Sequence, residues 1–400
     1  MSSILSDRIN NMEESATLAM AKKARELKGQ GIDIISLSLG EPDFKTPQHV
    51  QDAAKYAIDE GKYFSYPPVA GYQDLREAIA EKLRTQNKIV EAKAENIVLS
   101  TGAKHSIANI FMCLLNEGDE VVIFSPYWVS YAEIIKLAGG VPVLIEGTLE
   151  NNFKATAAQL EEAITDKTKA VIYSSPCNPT GSVFSKEELE AIADVVKKHK
   201  DIYVIADEIY ELINFTGQHA SMGALPDMFD RTITVNGFSK GYAMTGWRVG
   251  YICAPVFIAK ACEKIQGQFT SGGTGIAQRA ALAAITGDQA PSKEMEKAYF
   301  NRRELVLDLL RDIPGIKTHV PEGAFYFFPD VTAFFGKSNG EHKIENADDF
   351  CLYILNQAHV SLVTGAAFGA PNCVRLSYAA SEEELKEALK RIKDAVAKLS

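Results

Sequence analysis

Seven short runs of apolar, mostly β-branched residues recur along the first two thirds of the chain, and helical patterns separate most of them. The runs are Asn96–Leu99, Glu120–Phe124, Val141–Ile145, Lys169–Tyr173, Ile202–Ala206, Thr232–Asn236 and Val249–Cys253. Runs this short and this continuously apolar suit strands covered on both faces. Strands that alternate with helices pair mainly in parallel, because each return to the same edge needs a crossover. The pattern predicts an α/β domain with a mainly parallel, seven-stranded sheet flanked by helices.

Local signals mark several helix ends. Thr46-Pro47 reads as an N-cap followed by proline at the first helical position, with Val50, Ala53, Ala54 and Ala57 on one face. Ser185 and Glu188 form a capping box ahead of Leu189, Ile192, Ala193 and Val196. The last third differs. A helical pattern from about Ser292 to Leu310 carries Met295, Ala298, Tyr299, Leu305, Val306 and Leu309, and Pro314-Gly315 stops it. Short strand candidates follow near Ala324–Phe328 and Val374–Tyr378. A closing helix opens on the capping box Ser381/Glu384 and turns Leu385, Leu389, Ile392 and Val396 inward. Three units are expected: an N-terminal segment, 1–45, packing with a small α+β domain, 291–400, and a large domain between them, 46–290.

Composition narrows the function. A net charge of −10 argues against a broad nucleic-acid footprint, which needs a clustered basic face. No run approaches the ~20 apolar residues of a membrane span. Met1 to Ala24 has no long apolar core and reads as structure, not as a signal peptide. Cys113, Cys177, Cys253, Cys262, Cys351 and Cys373 show no CxxC spacing and suit reduced, mostly buried thiols in a cytoplasmic protein. The seven histidines do not cluster, and no metal site is expected.

The most informative segment is Val235-Asn-Gly-Phe-Ser-Lys-Gly-Tyr-Ala-Met-Thr-Gly-Trp-Arg-Val-Gly250. Lys240 follows an apolar strand and sits in a Gly/Ser-rich turn, where ligands collect in α/β sheets. Desolvation there would lower its pKa and free an amine. Arg248, further on, could fork onto a phosphate. This segment resembles the pyridoxal 5′-phosphate (PLP) attachment motif of the class I aminotransferases, the fold-type I family that includes aspartate aminotransferase. Four more segments fit that family in order: Leu39-Gly-Glu-Pro-Asp-Phe44, Ser174-Ser-Pro-Cys-Asn-Pro-Thr-Gly181, Ala206-Asp-Glu-Ile-Tyr210 and Val374-Arg-Leu-Ser-Tyr378. The resemblance covers nearly the whole chain.

It implies a role for each matching residue. Lys240 would carry the cofactor as an imine. Asp207 would pair with the pyridine nitrogen and keep it protonated, while Tyr210 and Asn178 would bond the cofactor's O3′. Ser100-Thr-Gly-Ala-Lys104 joins a strand to a helix, and amides at a helix N-terminus bind phosphate well. By resemblance Gly102, Ala103 and Lys104 cradle the cofactor phosphate, with Ser239 and Arg248 helping. Trp128 would stack on the ring. Tyr66 would reach the neighbouring subunit's phosphate, so that a homodimer shares its active sites. Arg375 would grip the substrate α-carboxylate through two parallel hydrogen bonds, with the backbone of Gly40 as second contact.

The implied chemistry is ping-pong transamination between an amino acid and a 2-oxo acid, commonly 2-oxoglutarate, with Lys240 as general base and acid. The chain is most similar to bacterial aspartate aminotransferases that carry Ser-Ala-Thr near the N-terminus, here Ser15-Ala16-Thr17. In that subgroup N-terminal hydroxyls and a lysine at the position of Lys104 handle the distal carboxylate. Relatives that also aminate prephenate tend to carry lysine where this chain has Glu13, which argues against that activity. Cys177, beside Asn178, is an unusual neighbour that reads either as a packed thiol or as a reactive one. The same lysine also serves alanine, aromatic and branched-chain aminotransferases and carbon–sulfur β-lyases. A non-catalytic PLP-binding regulatory domain is the distant alternative.

Overall fold

A computed structural model describes residues 4–400, and all seven apolar runs are strands of one sheet within it. In chain order, after the short β1 (Ile35–Ser36), these are β2 (Ile97–Ser100), β3 (Glu120–Ser125), β4 (Val141–Glu146) and β5 (Thr168–Ser174). β6 (Tyr203–Asp207), β7 (Thr232–Gly237) and β8 (Gly250–Cys253) complete them. The order across the sheet is β2-β8-β7-β6-β5-β3-β4. Every pairing from β7 to β4 is parallel, and β8 alone runs against both its neighbours.

Side-chain alternation explains why the runs are continuously apolar. Along β3, Val121 and Ile123 pack with Ile107 and Ile110 of the helix Ala103–Leu114. Val122 and Phe124 point the other way, onto Leu189 and Ile192 of the helix Lys186–Lys197. Helices cover both faces, so neither set of positions can be polar. β4 departs from that expectation: it is the edge strand, and Val141 and Leu144 are exposed on it.

The Ser185/Glu188 and Ser381/Glu384 capping boxes both form as expected. Thr46 does not cap. The helix runs Gln48–Glu60 from Pro47, and the Thr46 hydroxyl donates to the Ala243 carbonyl while accepting from Trp247 Nε1. A tertiary contact has taken the side chain that the local pattern assigned to the helix end. At the N-terminus, Asp7–Asn10 and Ala16–Gly29 are helical; Met1 to Ser3 lie outside the described residues.

In the last third, β9 (Tyr326–Phe327) and β12 (Val374–Ser377) pair antiparallel, with β11 (Val363–Thr364) on the other side of β12. β10 (Val360–Ser361) pairs in parallel with β1, tying the N-terminal segment to this part of the chain. One apolar cluster joins Leu37, the long helix Ala290–Arg311, β9, β12 and the closing helix Glu382–Val396. Among the described residues no helix is long and apolar enough to cross a membrane, and all six cysteines are free thiols.

Parallel topology fixes where a site can form. The C-terminal ends of β2, β3, β5, β6 and β7 open on one edge, and β8 enters the sheet from that same edge. The loops there converge. Two substitutions in the closing helix test its construction. Ser381→Ala removes the cap and should cost about 1 kcal/mol, and Leu389→Ala, which empties a buried site, about 2–5 kcal/mol. Urea midpoints measure both, with exposed Lys390→Ala near zero as the control.

Candidate active site

Lys240 lies in the turn directly after β7. Its Nζ donates to the Gly40 carbonyl at 2.6 Å and faces the rings of Tyr210 and Phe325 at 5.8 and 6.0 Å. Burial depresses the ammonium to about 8; the Glu41 carboxylate opposes that shift, while Arg375 and Arg248 reinforce it. An amine of that basicity spends an appreciable fraction of time unprotonated near neutrality, as a nucleophile or general base requires.

Asp207 ends β6, and its neighbour β7 leads into Lys240. Burial pushes the carboxyl up to about 6, against the pull of Tyr131, whose hydroxyl donates to Oδ2 at 2.5 Å. The Ile209 backbone N–H donates to Oδ1 at 3.3 Å. A carboxylate so placed is an acceptor in need of a cation.

Arg375 comes from β12 and is only 2% exposed. One Nη donates to Asn178 Oδ1 at 2.9 Å and the other to the Ser38 carbonyl at 2.6 Å. The planar group lies over the rings of Tyr326 and Phe368, at 4.6 and 4.9 Å. Its Nε is buried with no acceptor, and no carboxylate pairs with the guanidinium among the described residues. Because Asn178 Oδ1 is taken, its NH2 group is the part left for the cleft.

The helix Ala103–Leu114 starts where β2 ends, with Gly102 as its N-cap at φ 80°. A Cβ at Gly102 would collide with the Arg248 guanidinium, so only glycine lets that cation pack against the helix start. Arg248 is held by the carbonyls of Thr245 and Thr101, at 2.9 and 3.4 Å. Lys104, in the first turn, lies 4.9 Å from the Trp128 ring. Burial and the Arg248 charge both lower its pKa. Two cations at a helix N-terminus, neither paired with a carboxylate among the described residues, make an anion site.

These groups enclose one cleft of about 660 Å³, which Ser15, Thr17, Glu41 and Ser239 also line. Tyr66 takes no part: it is 90% exposed on the surface of the chain. Cys177 is buried, with its thiol pushed up to about 11, which makes it a packed thiol, inert at neutral pH. Two tyrosines that bond residues of the site escaped the sequence reading. Tyr131 follows Trp128 by one helical turn, a spacing that could have flagged it. Tyr326 sits in the run Phe325–Phe328, which reads simply as core. Its hydroxyl bonds that of Tyr210 at 2.7 Å, and a Cβ at Gly40 would strike it.

All five segments that carried the resemblance meet at this cleft. The family model for class I and II aminotransferases matches residues 32–392. The chain belongs to the class I and II aminotransferases. It is 44% identical to the aspartate aminotransferase of Bacillus subtilis (strain 168), over 99% of this chain and 100% of that one. It is 45% identical to a probable aspartate/prephenate aminotransferase of Rhizobium leguminosarum bv. phaseoli, over 97% of each. The aspartate aminotransferase structure from Rhizobium meliloti superposes with a TM-score of 0.95 at 40% identity, covering all of both chains. That from Thermus thermophilus with maleate gives 0.93 at 41%, over 99% of this chain and 100% of that one.

As an aminotransferase the chain holds Asp207 at a cost in stability. The carboxyl titrates higher folded than unfolded, so the penalty is absent below about pH 4 and complete above about 6. Asp207→Asn in the ligand-free protein should therefore gain on the order of 2–3 kcal/mol at pH 7 and nothing at pH 3.5. Urea midpoints at the two pH values check the sign; equal gains at both would count against it.

Proposed function

We propose that this aminotransferase moves the amino group of L-aspartate to 2-oxoglutarate with PLP held on Lys240. The observation that carries the reading is the convergence of a depressed amine, a buried carboxylate and an unpaired buried guanidinium on one cleft. The residues fit the cofactor. Amides of Gly102, Ala103 and Lys104, with Ser239 and Arg248, suit its phosphate; Asp207 suits the ring nitrogen; Tyr210 and Asn178 suit O3′; Trp128 suits the ring face. Bound there, PLP supplies an aldehyde that condenses with amines and a pyridinium that withdraws electrons from the substrate Cα.

The chain's own groups do the rest. Lys240 Nζ would take the proton from the substrate Cα and deliver it to C4′, the former aldehyde carbon of the bound cofactor. Asp207 would keep a proton on the ring nitrogen of the bound cofactor through charge pairing in a dry site. Arg375 fixes the α-carboxylate with a planar fork, and the Asn178 bond keeps that fork in register. Gly40 faces the same carboxylate from the opposite chain segment. For the distal carboxylate, Ser15 and Thr17 line the cleft together with Lys104. The Thermus thermophilus relative with maleate, and several others named aspartate aminotransferase, support a dicarboxylic substrate. Glu13 stands where relatives that aminate prephenate tend to carry lysine, a charge reversal that disfavours prephenate.

The reading extends to assembly and layout. Tyr66, idle in its own chain, is proposed to complete the phosphate site of a second copy, making the unit a cytoplasmic homodimer. Segment 1–45 belongs with the small domain, 291–400, around the large domain, 46–290, a division that the β1–β10 pairing supports.

Lys240→Ala should lower turnover by several orders of magnitude, and Arg375→Lys should raise KM for the amino acid about tenfold or more. Scanning the absorbance of PLP-loaded protein against a panel of amino acids identifies the donor: aspartate should convert the coenzyme without releasing ammonia. Pyruvate and ammonia formed with no acceptor present would overturn transamination in favour of β-elimination.

A further inference from the structure

Glu208, between two cleft residues, does not face the cleft. It enters a second, interior cluster of charge. Glu208 Oε2 accepts from the Ser221 hydroxyl at 2.7 Å and from Asn87 Nδ2 at 3.3 Å, and lies 2.9 Å from His219 Nε2. Asn87 also donates to Glu211 at 2.6 Å, and Lys82 bonds both Glu211 and the Asn87 Oδ1. Glu208, Glu211 and His219 come close enough to hold a cation between them, yet the Lys82 ammonium already lies against Glu211. The cluster is an ion network.

Its charge count is informative. Two carboxylates face one ammonium, so the network balances only with His219 protonated. Burial opposes that, but the charge of Glu208 and its hydrogen bond outweigh burial and hold the imidazolium above its ordinary range. Other groups facing the network come from β5 and β8: the hydroxyls of Tyr173 and Tyr251 and the thiol of Cys253. Burial keeps all three neutral, as it does Tyr242 beside Glu211. Glu208, Glu211, Lys82 and His219 therefore set the field.

That field acts on the cleft through one peptide bond. Glu208 N–H is fixed to the Val235 carbonyl at 2.9 Å, and its own carbonyl accepts from Glu211 N–H at 2.9 Å. A shift of Glu208 drags Asp207 on one side and Tyr210 on the other. Its charge also disfavours ionisation of Asp207. We infer that Glu208 and His219 are positioning residues of the aminotransferase site: Glu208 anchors the turn that presents Asp207 and Tyr210, and His219 cancels the negative field Glu208 casts on them.

The inference rests on the cofactor assignment above, because its readout is the colour of bound PLP. Wild type, Glu208→Gln, His219→Gln and the double variant are loaded with PLP and their visible spectra titrated from about pH 5 to 9. The midpoint reports the proton at the Lys240–cofactor link. Losing His219 leaves Glu208 uncompensated and should raise the midpoint by roughly half a unit or more; losing Glu208 also removes the charge that keeps His219 protonated, so the midpoint should move far less. The double variant should return near wild type. Should Glu208→Gln not fold, Ser221→Ala replaces it: it loosens the Glu208 anchor without changing charge, so turnover should fall several-fold while the midpoint moves less than in His219→Gln. Midpoints that shift together, or stay put in His219→Gln, overturn the inference. Wild type that takes up no PLP colour sinks the cofactor assignment instead.

Discussion

Charge removed from water is unstable unless something answers it, and the cleft is organised around that problem at the end of β6. Asp207 ends a strand that has neighbours on both sides and helices on both faces, so solvent cannot reach it from the sheet. Tyr131 and the Ile209 amide answer the carboxylate in part. What they leave unanswered is affinity for a positive group in the cleft. The same lack of water brings the Lys240 amine into its working range. One environment thus raises an acid and lowers a base, which is how a single fold makes both available near pH 7.

Arg375 extends this logic to the other end of the chain. A guanidinium buried over Tyr326 and Phe368 can persist because Ser38 and Asn178 each accept one of its donors. Those partners come from the segment after β1 and from the loop after β5. The site is consequently a joint between N-terminal, central and C-terminal stretches, and the β1–β10 pairing holds two of them together. Tyr326 is the mechanical link: it touches Arg375 on one side, Tyr210 on another, and leaves room at position 40 for glycine alone.

Where sequence reasoning failed, a long-range contact had taken over a locally eligible side chain. Thr46 has the chemistry of an N-cap, but Ala243 and Trp247, some two hundred residues away, claim its hydroxyl. β4 has the composition of a buried strand and lies at the edge, because composition does not encode strand order. Only their hydroxyl partners connect Tyr131 and Tyr326 to the site. The Glu208–His219 network was invisible for the same reason. Asn87 and Lys82 lie over a hundred residues from it in the chain.

By itself the sequence determined the seven strands and the order of helices between them, through apolar continuity and capping residues, which are local properties. It also put forward Lys240, Asp207, Asn178 and Arg375 as candidates, because five ordered segments resemble the motifs of one enzyme family. Tertiary structure alone decided that these four meet, which way Lys240, Asp207 and Arg375 titrate, and which tyrosines bond beside them. Burial and hydrogen bonding depend on what the rest of the chain brings alongside, and that is settled only once parallel strands have placed their C-terminal ends on one edge.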